Sequence, residues 1–271
     1  MGPEFAFDFT RLDSRRSLSK PRAIGLTMVS EWGLGTNSLS DFLSTAAPYV
    51  DIVKIPTGTA RLYRRDVLIA KLERYKAADI KTLVGGQFQE YVLHTQGIDA
   101  LPRHFDELQN VGFDLVEISE NIVPINAEQR SRMIELAHDR DMAVVLEVGS
   151  KQKITEPHAL LRGAHDHLDA GAELVIVEGQ ELITNGKVNG ELIAALQQSS
   201  IFPRLMMEVP TPRVGATTVD IYNVKKTLVC AFGPNVNLGN ISPDLVLETE
   251  TTRLGLGSAG PLSLMTNTKD V

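Results

Sequence analysis

Four glutamates recur in this chain, each set in an apolar stretch: Val116-Glu117-Ile118, Leu146-Glu147-Val148, Val177-Glu178-Gly179 and Met207-Glu208-Val209. Lys54, between Val53 and Ile55, has the same setting. Burying several carboxylates without a counter-charge is very costly, so something cationic must sit among them. Lys54 and Lys151 can supply part of the compensation. A hard divalent cation such as Mg2+ can supply the rest through oxygen ligands, with two or three of the glutamates binding it. Taken singly, each glutamate also fits a structural ion pair.

The elements that carry these residues are periodic. Short Val/Ile/Leu-rich runs begin at Ala23, Val50, Lys81, Leu115, Ala143, Leu174, Arg204 and Val236 and alternate with longer amphipathic stretches, the pattern of βα units around a parallel sheet. Lys54, Gly86, Glu117, Glu147, Glu178, Glu208 and Leu238 lie near the ends of successive runs, at intervals of 32, 31, 30, 31, 30 and 30 residues. One βα unit fits each interval. The expected fold is a single (β/α)8 TIM-type barrel, with an open doubly wound sheet as the alternative. Residues 1–20 read as an N-terminal tail whose MGPEF start resembles a cloning scar, 21–256 as the barrel, and 257–271 as a loose C-terminal tail. Helix-like stretches include 65–78, 127–141, 157–170 and 243–254. Asn126 with Gln129 forms a capping box in the sequence, and Ser242 before Pro243 places a capping hydroxyl.

Period-2 alternation turns the residues flanking each glutamate toward the helices and the glutamates inward, at the carboxyl-terminal rim where barrels build their sites. Other polar residues at these ends are Glu90, Ser119, Asn121, Asn237 and Asn240. Gly85-Gly86 suits a tight bend or a close backbone approach to a ligand. His165 and His167, two apart on a helix, are expected at the surface; the remaining histidines fall away from the rim, and Cys230 is expected to be a core thiol.

With 34 acidic against 27 basic side chains, the net charge of −7 offers no field for a polyanion, so nucleic acid is not expected as a partner. A lone cysteine excludes an internal disulfide and a cysteine zinc site. No run approaches the roughly 18 apolar residues of a membrane span, and no secretory signal is visible. These features point to a cytoplasmic protein that is not bound to membranes.

Across 23–258 the chain resembles the phosphosulfolactate synthase family. The matching stretches are GLTMV with Gly33-Leu34-Gly35, DIVK ending at Lys54 with Gly58-Thr59, Gly85-Gly86 with Glu90, VEIS (116–119) and LEVGSK (146–151). They continue through DAGAELVIVEG (169–179), Glu208 with Pro210, GPNVNLGNI (233–241) and ETTRLGL (250–256). The resemblance implies a barrel lyase that adds sulfite to phosphoenolpyruvate with Mg2+, forming a carbon–sulfur bond through an enediolate. It implies Lys151, Lys54 and Glu117 as catalytic residues, with Lys151 of the G-x-K motif as general acid, and Glu147, Glu178 and Glu208 as metal ligands. Gly86, Glu90, Ser119, Arg213, Asn237 and Asn240 would contact small anionic substrates. Family habit is the ground for expecting a homo-oligomer.

The departures are specific. Where the family shows E-[GA]-R-E-S, this chain has Gln180 in place of the arginine, and Gly257 replaces a second arginine near the C-terminus. The strand-two F-G-W-G-T becomes Ile55-Pro56-Thr57-Gly58-Thr59, and E-A-P-x-K becomes Glu208-Val209-Pro210-Thr211-Pro212, with Arg213 one place late. Arginine forks suit phosphate. Three readings follow: the family reaction with Arg213 or Arg253 replacing the lost contacts, the same scaffold acting on a different and unphosphorylated enol or unsaturated carboxylate, or a silent stress-associated or binding relative.

Overall fold

A computed structural model describes residues 6–150, 154–184 and 187–256. Among these residues eight parallel strands close into a barrel: β1 (Thr27–Ser30), β2 (Ile52–Ile55), β3 (Lys81–Val84), β4 (Leu115–Ile118), β5 (Ala143–Val148), β6 (Leu174–Val177), β7 (Leu205–Glu208) and β8 (Leu238–Ile241). Each pairs with its neighbours in sequence, and β8 closes onto β1, so the fold is a single (β/α)8 barrel. The strands are shorter than the apolar runs that announce them. The first run starts at Ala23, but Gly25 adopts φ +72° and pairing begins only at Thr27.

The helices of eight residues or more are α1 (Thr36–Ala46), α2 (Arg65–Lys76), α3 (Gln87–Gln96), α4 (Leu101–Val111), α5 (Ala127–His138), α6 (Pro157–Asp169), α7 (Gly190–Gln197), α8 (Thr218–Phe232) and α9 (Val246–Arg253). Of these, α3 is additional to the β/α alternation, inserted between β3 and α4. The Asn126–Gln129 capping box forms at α5, each partner accepting from the other's backbone N–H. At Ser242 the expectation fails. Its hydroxyl donates to the Asp244 carboxylate instead of capping, and a 3-10 turn (Pro243–Leu245) precedes α9. No described helix is long and apolar enough to cross a membrane.

Side-chain parity follows the pleat. Ile52, Leu83, Leu115, Val145, Ile176 and Met206 fill the barrel interior, while Val53, Val84, Val116, Val144, Val175 and Met207 pack outward against the helices. Two residues beyond five of the interior positions stand Lys54, Glu117, Glu147, Glu178 and Glu208, one step nearer the mouth, where all five line the cavity described below.

The opposite end is closed by a buried charge network, and the polar N-terminal segment is part of it. Arg16 forks onto Glu250, with Nε 2.7 Å from Oε1 and Nη2 3.0 Å from Oε2, and Arg22 pairs with Asp51 in the same way. Arg253, fully buried, donates to the carbonyls of Pro234, Val236 and Leu26 beneath β8 and β1. Burial first, then the neighbouring Arg16, pushes its pKa down to about 9. Removing one member of a buried pair strands the other charge. Glu250→Leu is therefore expected to cost about 3–5 kcal/mol in urea unfolding, and Arg16→Met added to it should recover much of that loss.

Candidate active site

The barrel mouth opens into a cavity of about 590 Å3. Its lining brings together Lys54, Gly86, Glu117, Ser119, Asn121, Glu147, Glu178, Glu208, Arg213 and Asn240, all singled out from the sequence. Lys151 lies outside the described residues. Glu90 and Asn237 do not line the cavity.

At the centre, Lys54 Nζ stands 2.9 Å from both carboxylate oxygens of Glu117, and the Gly86 backbone N–H donates to Glu117 Oε2 at 2.9 Å. Only glycine fits at position 86: a Cβ there would lie 2.4 Å from Ser119 Oγ and 2.9 Å from the Glu117 carbonyl oxygen. Burial alone would lower the lysine pKa, but Glu117, Glu208 and Glu147 outweigh it, and the ammonium is held well above its ordinary value. Lys54 is thus a fixed positive charge, able to stabilise a developing oxyanion but not to act as a base near neutrality.

Around this pair, Asn121 Nδ2 reaches Glu147 Oε2 at 3.4 Å, and Asn240 Nδ2 donates to Glu208. Asn240 takes a left-handed φ of +58°, which asparagine tolerates better than most residues, and Thr57 at the cavity edge takes φ +51°, a strained choice for a β-branched side chain. Arg213 stacks on Trp32, its guanidinium carbon 4.2 Å from the ring centroid.

The lining offers carboxylate and amide oxygens, the donor set of a hard divalent cation. Among the described residues, however, no three His, Cys, Asp or Glu side chains converge closely enough to hold a metal ion. The three expected ligands, Glu147, Glu178 and Glu208, all line the cavity without being drawn into such a group. A cation here would take one or two of these carboxylates and complete its shell with water and substrate oxygens, which is Mg2+ behaviour.

Glu90, 1% exposed, anchors a loop and does not face the cavity. Its carboxylate accepts from Ser119 Oγ and from the backbone N–H groups of Asn121 (3.1 Å), Ile122 (2.6 Å) and Val123 (2.8 Å), tying down the β4–α5 connection. Two further buried carboxylates of this kind are not among the residues singled out from the sequence. Glu31 accepts from the N–H groups of Gly33 and Leu34 and from Lys71 Nζ at 2.6 Å. Glu181 accepts from Ser150 N and Thr155 N, both at 2.8 Å, and so holds the β5–α6 connection at those two residues. Gly149, at φ +108°, lets that segment pass, since a Cβ would come within 2.6 Å of the Glu181 side chain. Position alone could have pointed to them: Glu31 directly follows β1, and Glu181 follows β6 by four residues.

Several other expectations are corrected. Asn237 sits at the far end of the barrel, bonded to Leu26 N and to the Pro203 and Leu205 carbonyls, and Arg253 is buried there too, so neither can meet a substrate at the mouth. His167 is half-buried, its Nε2 3.2 Å from the Glu147 carbonyl oxygen. Cys230, on α8, is exposed.

The (2R)-phospho-3-sulfolactate synthase (ComA) family model matches residues 15–259. The chain belongs to the phosphosulfolactate synthase family. It is 34% identical to the phosphosulfolactate synthase of Methanothermobacter thermautotrophicus over 93% of this chain and 95% of that one, and 30% identical to that of Methanocaldococcus jannaschii over 93% and 96%. Among solved structures, 3-hexulose-6-phosphate synthase from Salmonella typhimurium shares the fold, with a TM-score of 0.52 at 15% identity over 84% of this chain and 98% of that one. Like those phosphosulfolactate synthases, this family member is an enzyme, a lyase by family. Gln180, where the family pattern shows arginine, lines the cavity, while Gly257 lies outside the described residues.

The Lys54–Glu117 pair generates a titration test. A lysine whose folded pKa is raised contributes its full stabilisation below the ordinary value of 10.5 and loses it as pH climbs through the folded value. Glu117→Gln removes the nearest partner and leaves burial to act, so a 13C-lysine NMR titration should show Lys54 deprotonating at lower pH than in the wild type. An unchanged titration would mean that Glu117 does not hold the charge.

Proposed function

We propose that the enzyme adds sulfite to phosphoenolpyruvate with Mg2+, giving phosphosulfolactate. What carries this reading is the grouping, within one family-typical barrel mouth, of four carboxylates with an ammonium that stays protonated. The sulfur lone pair attacks the terminal methylene carbon, and the carbon–carbon π pair moves toward the substrate carboxylate as an enediolate. A proton delivered to the adjacent carbon completes the addition, and no group leaves. Lys54 meets the developing oxyanion as a fixed cation, oriented by Glu117. Glu147, Glu178 and Glu208 are the residues from which one or two would hold Mg2+, which when bound supplies further positive charge beside the substrate carboxylate. Arg213, in the β7–α8 connection, is the phosphate contact. Lys151 is the proton donor that the family motif offers.

Gln180 favours a second reading: the same chemistry on an unphosphorylated enol or unsaturated carboxylate, which would not need the lost arginine. Incubation with Mg2+, sulfite and phosphoenolpyruvate, followed by 31P NMR, separates the two. Phosphosulfolactate is expected. No product while Mg2+ still raises the melting temperature would favour the second reading. Glu147→Gln or Glu178→Gln should shrink the Mg2+-dependent rise in melting temperature, because each removes a charged oxygen donor. If both variants respond to Mg2+ as the wild type does, the acidic metal site is wrong.

A further inference from the structure

Trp32 is the sole tryptophan of the chain, in the β1–α1 connection directly after the buried Glu31. It lines three hollows at once: the central cavity, a second of about 470 Å3 against α2, and a third of about 810 Å3 between α1 and the segment after β8. Its backbone is held, since the Glu31 carboxylate accepts from the N–H groups of the two residues that follow it. The residue is 47% exposed, and its ring carries the Arg213 guanidinium, which comes from the β7–α8 connection two strands away around the barrel.

Lys54 and Arg213 both line the cavity as cations, but their surroundings differ. Lys54 is engaged by Glu117, whereas among the described residues the Arg213 guanidinium has no hydrogen bond or ion pair and lies over the Trp32 ring, its central carbon 4.2 Å from the centroid. A guanidinium stacked by its face keeps its edge donors open, and that edge is the fork that matches a tetrahedral oxyanion. Arg213 also stands one place later than the cation of the family's E-A-P-x-K pattern, on a 3-10 turn of Pro212–Val214. A cation shifted by one residue leaves its turn in another direction and needs a new surface to steer it.

We propose that Trp32 is that surface: it positions Arg213 so that the N–H edge faces the cavity, and together they decide selectivity for a substrate bearing a tetrahedral oxyanion such as a phosphate ester. The proposal rests on the phosphorylated-substrate reading above, but the Arg213 arm of its test does not need turnover. Trp32 is its own reporter. Titration with inorganic phosphate, against chloride at equal ionic strength, should give a saturable change in tryptophan emission that is lost in Arg213→Ala and weakened in Arg213→Lys. With phosphoenolpyruvate and sulfite, Trp32→Leu should raise KM for phosphoenolpyruvate about two- to fivefold, with the effect on KM rather than kcat, and Trp32→Phe should restore most of it. No emission change in the wild type, or an equal one in Arg213→Ala, overturns the assignment of Arg213; an unchanged KM in Trp32→Leu overturns the role of Trp32. A phosphate response without phosphosulfolactate formation sinks the sulfite reaction and leaves the anion site standing.

Discussion

A carboxylate in the mouth of a closed parallel barrel must accept N–H donors or face a cation, because water cannot reach it freely enough to solvate it. That constraint sorts the rim glutamates into two sets. Glu31, Glu90 and Glu181 are almost wholly buried and accept mainly from backbone N–H groups of the loops beside them. Glu117, Glu147, Glu178 and Glu208 face the cavity. The first set shapes the loops after β1, β4 and β5, and those loops carry Trp32, Asn121 and the segment leading to Lys151. The second set supplies the field in which a substrate would bind. Neither set works without the other, since a cavity charge is useful only while the loop opposite it keeps its place.

The same constraint on buried charge acts at the far end. Arg16, Arg22 and Arg253 occupy the underside, where barrels store stability and not chemistry. Arg253 in particular directs its donors to three backbone carbonyls at the closure of β8 onto β1. An arginine in that position cannot serve as a phosphate contact, which leaves Arg213 as the described arginine at the mouth.

The barrel was legible because its signals are redundant: eight apolar runs, their regular spacing and inward parity all agree, and Lys54, Glu117, Glu147, Glu178 and Glu208 inherit their placement from that agreement. What sequence could not supply was the partner of each polar residue. Asn237 and Asn240 lie three residues apart near the same strand, yet one faces the floor and the other the mouth, because a four-residue strand runs almost the whole depth of the interior. Glu90 looked like a substrate contact by type and position, and only the fold of the β4–α5 loop around it shows that its oxygens are already taken. Trp32 carried no periodic signal at all, and its role depends on Arg213, which lies six strands further along the chain.

Lys54 also constrains where the proton of any addition reaction comes from. Its pKa is raised by Glu117, Glu208 and Glu147 against the pull of burial, and it donates to Glu117 Oε1 while pairing with Oε2. A donor so strongly held gives up its proton poorly, because deprotonation would leave three carboxylates facing a neutral amine. In the reaction proposed above, charge stabilisation and proton delivery would then fall to different residues. Glu181 anchors Ser150 and Thr155 on either side of residue 151, and Gly149 admits the chain between Glu178 and Glu181. A buried carboxylate and a left-handed glycine thus fix the chain at Ser150 and Thr155 and at the turn out of β5.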